Sequence, residues 1–208
     1  MRDKKLAIGL PLGFPMVHAD FFKSYILVDK GEHMLLTSEA GPITALRNGL
    51  MYNAIHSGAN QLMMMDVDMV YPVDTVNRLT ATMNASGAAV VAGLMFRRYP
   101  PFDPCFQSTN MKCKVGDILP VDRVSTACML IDVDWVKEHM FHPWFETEDD
   151  ELCRPVLGED YLFCDKVREA GGEILLDASV IPKHLTTVQV DEKFSGMWAT
   201  IKKEIQDG

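Results

Sequence analysis

The feature that most constrains the fold is residues 62–68, where the apolar run Leu-Met-Met-Met ends directly on Asp66 and Asp68. Four consecutive apolar residues are too few for a helix and show no polar alternation, which predicts a strand covered on both faces, as in a parallel sheet. Open α/β sheets bind ligands at the carboxyl ends of their strands, so the two aspartates are candidate ligands of a hard cation that carries a phosphate. The alternative is that Asp66 belongs to a turn and Asp68 caps a helix that begins at Pro72.

Composition places the chain among soluble globular proteins. Its 208 residues suit one domain, and 48% hydrophobic with 24% charged residues is an ordinary globular balance. A net charge of -9 argues against a nucleic-acid surface, which needs clustered Lys and Arg. No apolar run approaches about 18 residues, and the first apolar stretch is short and broken by Gly and Pro. We therefore expect neither a transmembrane segment nor a signal peptide, and a cytoplasmic location.

The cysteines form an odd set of five without a Cys-x-x-Cys pair. This pattern argues against both a disulfide framework and a zinc ribbon, so free buried thiols are expected. The five are Cys105, Cys113, Cys128, Cys153 and Cys164.

Predicted strands and helices alternate along most of the chain, which indicates an α/β fold with a mostly parallel sheet and right-handed crossovers. A Gly- and Pro-rich loop at 11–15 is expected to end the first strand. The irregular segments 95–116 and 141–156 are predicted to form the walls of a pocket for a second substrate. We expect strands near 6–10, 33–37, 62–65, 88–94, 125–131 and 173–176, and helices near 43–56, 72–83, 132–139, 158–170 and 192–206.

Further motifs follow in a fixed order around the two aspartates. Leu46-Arg47-Asn48 precedes the central strand, Gly158-Glu159-Asp160 opens a later helix that ends in Ala-Gly-Gly, and His184 comes last. With this order the chain resembles glycosyltransferase domains of the GT-A fold, similar to family-2 enzymes. The resemblance covers about residues 5–186 of a single domain spanning 1–208, with a C-terminal helix near 192–206. It implies hexosyl transfer from a UDP- or GDP-sugar to a hydroxyl of a carbohydrate or other acceptor.

The resemblance also assigns a metal site. Asp68, with Asp66 directly or through water, would hold a divalent ion against the donor diphosphate, and His184 would be a further ligand. An imidazole beside carboxylates favours Mn²⁺ over Mg²⁺, although both are compatible with this set. Such an ion would assist departure of the nucleoside diphosphate as a Lewis acid.

Glu159 and Asp160 are the candidate catalytic pair. Acidic residues in a first helical turn are also explained by the helix dipole alone. In the enzymes that the chain resembles, the aspartate of this motif lies near the acceptor hydroxyl, which makes Asp160 the expected general base. Adjacent helical residues point about 100° apart, so Glu159 is expected to orient the acceptor or a loop instead. If the reaction retains anomeric configuration, Asp160 would only position substrate.

The resemblance places the donor nucleoside over the first strand's loop and the end of the second strand. This chain has Ser38-Glu39 where many relatives have Asp, which leaves the identity of the base open. Arg47 would approach the pyrophosphate or brace a loop, unless it is a solvated helix arginine, and Arg97 and Arg98 are further phosphate candidates. The predicted nucleotide-sugar contacts are Pro11, Leu12, Gly13, Glu39, Arg47, Asp66, Val67 and Asp68.

Two alternatives remain open. Asp66-Val67-Asp68 after an apolar strand also fits a haloacid-dehalogenase-like phosphatase with Asp66 as its nucleophile. That motif normally lies on the first strand of its domain, whereas at least two strands are predicted before this one. The second alternative is a binding module for nucleotide-sugars that does not turn over.

Overall fold

The computed structural model describes residues 5–109, 112–152, 154–188 and 190–207. The helices are α1 Ala19–Leu27, α2 Ile43–His56, α3 Thr75–Ser86, α4 Val133–His139, α5 Glu159–Glu169 and α6 Glu192–Asp207. The strands are β1 Leu6–Leu12, β2 His33–Glu39, β3 Gln61–Met65, β4 Met69–Val70, β5 Val90–Gly93, β6 Phe106–Gln107, β7 Ile118–Pro120, β8 Arg123–Val124, β9 Cys128–Asp132, β10 Glu148–Asp149, β11 Pro155–Leu157, β12 Ile174–Asp177 and β13 Lys183–His184.

The centre of the fold is a seven-stranded sheet of order β2-β1-β3-β9-β5-β12-β7. Five strands run in one direction, while β9 and β7 are antiparallel to their neighbours. The predicted α/β fold with a mostly parallel sheet is therefore confirmed. The central strand β3 is parallel only to β1, because β9 lies antiparallel on its other side.

Strand β3 is buried on both faces, as its composition predicts, and all five of its residues are covered. Leu62 and Met64 pack in one apolar cluster with residues of α2, α4 and α5. Met63 and Met65 pack in a second cluster with residues of α1 and α3. Each such side chain contributes about 1.5–3 kcal/mol on burial, so this strand is a major contributor to stability.

The first strand continues further than expected. Pro11 and Leu12 belong to β1 and pair with Ser38 and Glu39, so the loop begins at Gly13. Pairing between β1 and β3 ends at Gly9, and beyond that point only β2 runs alongside β1. Proline is tolerated where a strand lacks a partner on one side, because the missing N–H breaks no ladder there.

Two helical assignments also differ from expectation. Helix α1 was not predicted, since only Phe21 and Ser24 of its nine residues are buried and no apolar stripe marks it. Helix α3 begins at Thr75 with Asp74 at its N-cap position, rather than at Pro72. Asp68 is followed by strand β4 and caps no helix.

Other local predictions are confirmed. Helix α2 has the expected bounds, and Asp132 caps α4 by accepting a hydrogen bond from the Trp135 amide at 3.0 Å. Gly158 is the N-cap of α5, and Gly171 follows its end with φ of +85°, the left-handed conformation that glycine adopts easily.

Four cysteines are free thiols: Cys128 and Cys164 are buried, as expected, whereas Cys105 and Cys113 are only partly buried. Cys153 lies outside the described residues. Within the described ranges, no helix combines the length and apolar character needed to cross a membrane.

Candidate functional site

The Asp66–Asp68 segment is a turn that joins β3 to the short strand β4. Strand β4 pairs antiparallel with β13, and the Leu185 amide donates to the Asp68 carbonyl at 2.8 Å. This small ladder places His184 beside Asp68, although the two residues are 116 positions apart in the chain. The structure therefore brings together two of the three side chains that were predicted to hold a metal ion.

Two cationic or cation-forming side chains contact the Asp68 carboxylate. His184 Nε2 lies 3.2 Å from Oδ2 of Asp68, and Arg98 Nη1 donates to the same oxygen at 3.0 Å. Burial raises the pKa of Asp68, but His184 and Arg98 outweigh burial, and the net shift is downward. The hydrogen bond to Asp68 raises the pKa of His184 above its usual value.

The second ring nitrogen of His184 fixes its orientation. Nδ1 lies 3.0 Å from the carbonyl oxygen of Phe96, which can only accept a hydrogen bond. In the neutral ring the proton is therefore on Nδ1, and the Nε2 lone pair faces Asp68. That tautomer is the one a histidine needs to bind a metal through Nε2.

Asp66 faces a different partner from Asp68. Its Oδ1 lies 2.7 Å from Nη2 of Arg47, whose side chain is only 2% exposed. Nε of the same guanidinium lies 3.6 Å from Oε1 of Glu159, at the start of α5. One buried arginine therefore connects the turn after β3 to the first turn of α5.

The Arg47 guanidinium is held mainly by charge. Burial would lower its pKa, but the carboxylates of Asp66 and Glu159 outweigh burial and raise the pKa above its ordinary value. Among the described residues, Nε and Nη1 of Arg47 and Oδ1 of Asp66 have no partner in hydrogen-bond geometry. A solvated helix arginine is excluded by this burial.

Asp160 follows Glu159 in the first turn of α5, and the two side chains have different surroundings. Glu159 faces inward, 3.4 Å from the hydroxyl of buried Thr126 and close to Arg47, whereas Asp160 lines a pocket of about 490 Å³. Burial, and then the neighbouring Glu159 carboxylate, raises the pKa of Asp160 to about 6. A carboxyl group with this pKa is suited to general-base work near neutral pH, because it is ionised there and still basic. The different orientations of the two carboxylates match the expectation.

A second pocket, of about 640 Å³, lies beside Asp68 and Arg98. Its other walls come from residues 185–188 and from Phe194 and Met197 of α6. Of the predicted nucleotide-sugar contacts, Asp68 lines this pocket, and the others do not: Pro11, Leu12, Gly13, Glu39, Arg47, Asp66 and Val67. Pro11 and Leu12 are at the end of β1, Gly13 and Glu39 are exposed, and Val67 is the partly buried middle residue of the turn.

The segment 95–105 separates the two pockets. It is closed by a bridge between Phe96 and Pro104 and by a hydrogen bond from the Cys105 amide to the Met95 carbonyl at 2.8 Å. Arg98 lines the pocket beside Asp68, and its neighbour Arg97 lines the pocket that contains Asp160.

Two structural supports of the site were not predicted. The Tyr71 hydroxyl lies 2.8 Å from the Asp66 carbonyl and 2.6 Å from that of Ala127, which fixes the turn after β3 to the segment before β9. Asn48 donates to the Phe145 carbonyl at 2.7 Å and accepts from the Trp144 amide at 3.0 Å, so α2 holds the 141–147 segment. Asn48 is part of the quoted Leu-Arg-Asn motif, but nothing in the sequence marks its partners.

The side chains near the turn after β3 supply only part of the ligands that a divalent ion needs. Within the described residues, no group of three or more His, Cys, Asp or Glu side chains is arranged to hold a metal. Asp68 and His184 are in contact, while Asp66 is engaged by Arg47. Manganese and magnesium sites that bind nucleotides often use one or two protein ligands together with substrate phosphates. One carboxylate and one imidazole are therefore a chemically adequate set of protein ligands for such an ion.

Comparison with known proteins gives similarity of structure only. No protein-family profile matches the chain, and no curated protein matches it in sequence. Among solved structures, A197 from STIV has a TM-score of 0.66 at 14% identity over 89% of this chain and 87% of that chain.

Two glycosyltransferase structures are also similar. GalNAc-T7, solved with UDP, GalNAc and Mn²⁺, has a TM-score of 0.57 at 10% identity over 89% of this chain. S. aureus TarS 1-349 has a TM-score of 0.57 at 14% identity over 87% of this chain. The matched regions are 44% of the GalNAc-T7 chain and 60% of the TarS chain. Identities this low establish the fold and not the activity, and the chain has the GT-A-like fold of these glycosyltransferases.

Proposed function

We propose that this protein is a glycosyltransferase that moves a hexosyl group from a UDP- or GDP-sugar to a hydroxyl group of a carbohydrate or other acceptor. The observation that carries the proposal is the contact between Asp68 and His184, made by the β4–β13 ladder beside a large pocket on a GT-A-like fold. The glycosyltransferase structures of the same fold support it, one of which contains UDP and Mn²⁺.

Asp68 and His184 are the residues proposed to hold Mn²⁺ or Mg²⁺, with Asp66 acting through water. When bound, the ion would supply Lewis-acid neutralisation of charge on the departing nucleoside diphosphate. The neutral His184 ring presents its Nε2 lone pair because Nδ1–H donates to the Phe96 carbonyl. Arg98 must leave Asp68 for an ion to bind, and its guanidinium is then free to contact an anionic phosphate oxygen.

Asp160 is proposed to remove the proton of the acceptor hydroxyl. Its pocket and the pocket at Asp68 share the 95–105 segment as a common wall. The acceptor and the donor are therefore proposed to bind on the two sides of this segment. Glu159 does not share the proton transfer, because it faces Thr126 and Arg47. Its role is to hold Arg47 and, through it, the turn after β3.

The nucleoside is proposed to lie over the ends of β1 and β2, where Pro11 and Leu12 run beside Ser38 and Glu39. Gly13 follows in an exposed loop, and a side chain added there would meet only Leu46, at 3.7 Å.

The phosphatase alternative requires Asp66 to be a free nucleophile. Instead, its carboxylate is paired with the buried Arg47, and two strands, β1 and β2, precede β3 in the same sheet. Both observations favour glycosyl transfer. Trapping a phosphoryl group on Asp66 after incubation with a simple phosphate ester would decide for the phosphatase.

The test is a panel of UDP-, GDP- and other nucleotide-sugars, scored for nucleoside diphosphate release with Mn²⁺, with Mg²⁺ and with a chelator. The expected result is metal-dependent release from one donor class. Asp68→Asn and His184→Gln should each weaken metal-dependent binding of the nucleoside diphosphate about tenfold or more, since even outer-shell changes at metal sites cost roughly 10- to 100-fold.

The matched control is Glu138→Gln, which removes one charge from the exposed face of α4 and should leave binding unchanged. Unchanged affinity and unchanged metal dependence in Asp68→Asn would show that the ion, if any, binds elsewhere, and the proposal would then fail.

A further inference from the structure

The two adjacent arginines of the 95–105 segment line different pockets. Both follow Phe96, which forms a bridge with Pro104. Arg98 contacts Asp68, whereas Arg97 lies among the residues that line the pocket of Asp160. The backbone of Arg97 is held in place, because its amide donates to the Asp103 carbonyl at 2.9 Å.

The second arginine of the Asp160 pocket, Arg123, is already neutralised. Its Nε and Nη2 donate to the two carboxylate oxygens of Asp165 at 2.8 and 2.6 Å, and its Nη1 donates to Gln107 at 2.9 Å. All three hydrogen bonds fix the guanidinium plane. Arg123 is therefore a rigid part of the pocket wall.

Arg97 has no such counter-ion. Within the described part of the chain, no carboxylate lies within ion-pair distance of its guanidinium, and Asp160 is the only acidic residue that lines the pocket. The positive charge acts on the pocket side chains, since Arg97 lowers the pKa of Cys105 and of Tyr161 against the larger upward effect of burial. Arg97 is exposed at the pocket wall, so its guanidinium is accessible to an anionic ligand that enters the pocket.

We propose that the acceptor carries an anionic group, a phosphate or a carboxylate, which Arg97 binds while the acceptor hydroxyl faces Asp160. The planar guanidinium fork matches the two oxygens of such a group, and an arginine with an open fork is the side chain best suited to it. Gln107, Ser125 and Tyr161 line the same pocket and offer neutral hydrogen bonds to the rest of the acceptor. This inference rests on the proposed function, because it names the substrate class of the same site.

The probes are glycerol 3-phosphate and glycerate, each of which combines hydroxyl groups with one anionic group, and glycerol is the neutral reference. Binding to the full chain is measured by titration calorimetry without metal or nucleotide. We expect the wild type to bind at least one of the two anions roughly tenfold more tightly than glycerol, and Arg97→Gln to lose that preference. The comparison of the two anions distinguishes a phosphate from a carboxylate.

Arg78→Gln is the matched control, since it removes one arginine from the exposed side of α3 and Arg78 lines neither pocket. It should keep the preference for the anion. Equal binding of the anions and glycerol, or a preference for the anion that survives in Arg97→Gln, would overturn the inference. The proposed function is judged separately, because metal-dependent nucleotide binding at Asp68 requires neither Arg97 nor these probes.

Discussion

Asp160→Asn should make the protein more stable and should make the proposed glycosyl transfer much slower. The carboxylate is partly buried beside Glu159, and its pKa is raised to about 6 from a usual value of 3.8. Asparagine keeps the size of the side chain and the oxygen that accepts from the Tyr161 amide at 2.8 Å. It removes only the charge that this environment disfavours.

The pKa difference gives the size and the pH window of the stability effect. About two pKa units at 1.36 kcal/mol each correspond to about 3 kcal/mol. Because the folded state binds this proton more tightly than the unfolded state, the stabilisation is present below pH 4 and is lost as the pH rises from about 4 through about 6. The unfolding free energy of Asp160→Asn should therefore match that of the wild type near pH 4 and exceed it by about 2 to 3 kcal/mol at pH 8.

Urea unfolding of both proteins between pH 4 and pH 8 measures this difference. The control is Glu169→Gln, an exposed change at the opposite end of α5, which should alter stability by less than about 0.5 kcal/mol. An Asp160→Asn protein that is less stable than the wild type at pH 8, or a difference that does not depend on pH, would refute the assigned environment of Asp160.

Turnover gives the second half of the same test. General-base contributions run to about 10²- to 10⁴-fold, so Asp160→Asn should lose activity on that scale with donor affinity retained. In the wild type, kcat should rise with pH through about 6 as Asp160 ionises, and the variant should lack this limb. Retained anomeric configuration in the product, or near-normal turnover of the variant, would leave Asp160 as a positioning residue.

Asp66→Asn should destabilise the fold by about 3–5 kcal/mol in chemical unfolding, because it leaves the buried Arg47 without its nearest charge. The double variant Asp66→Asn/Arg47→Met should recover much of this loss. Strict additivity of the two single changes in the double variant would contradict the pairing. Asn48→Ala should cost about 2 kcal/mol and speed proteolytic cleavage within 141–147, while equal cleavage rates would show that the segment is held otherwise. Gly93→Ala should lower the thermal midpoint, because the new methyl group would lie 2.9 Å from the Val180 carbonyl oxygen; an unchanged midpoint would mean that the backbone there moves freely.

Local sequence signals predicted the elements whose determinants are local. Helix α2, the Asp132 cap of α4 and the Gly158 start of α5 each depend on residues within one or two turns, and all three agree with expectation. Helix α1 was missed because most of its apolar side chains, such as Phe22 and Ile26, are exposed and form no stripe. The direction of β9 also could not be predicted, since an apolar run is the same for parallel and antiparallel neighbours.

The relative placement of some candidate site residues could also be predicted from the sequence. The order of motifs anticipated that Asp68 and His184 would meet, and helical geometry anticipated that Glu159 and Asp160 would face different ways. The burial of Arg47 was not anticipated, because its partners come from distant parts of the chain and nothing near it in the sequence indicates them. The assignment of Arg97 and Arg98 to separate pockets required the path of the segment in space.

On the proposed function, the buried Arg47 limits how the protein can adapt to new substrates. Because one guanidinium contacts both Asp66 and Glu159, the spacing between the two halves of the site is set inside the core, before any substrate enters. A longer or bulkier sugar cannot be accommodated by moving these halves apart without separating buried charges. Selection for a different donor or acceptor would therefore act on the outer walls, above all on the 95–105 segment, while the Asp66–Arg47–Glu159 arrangement stayed the same.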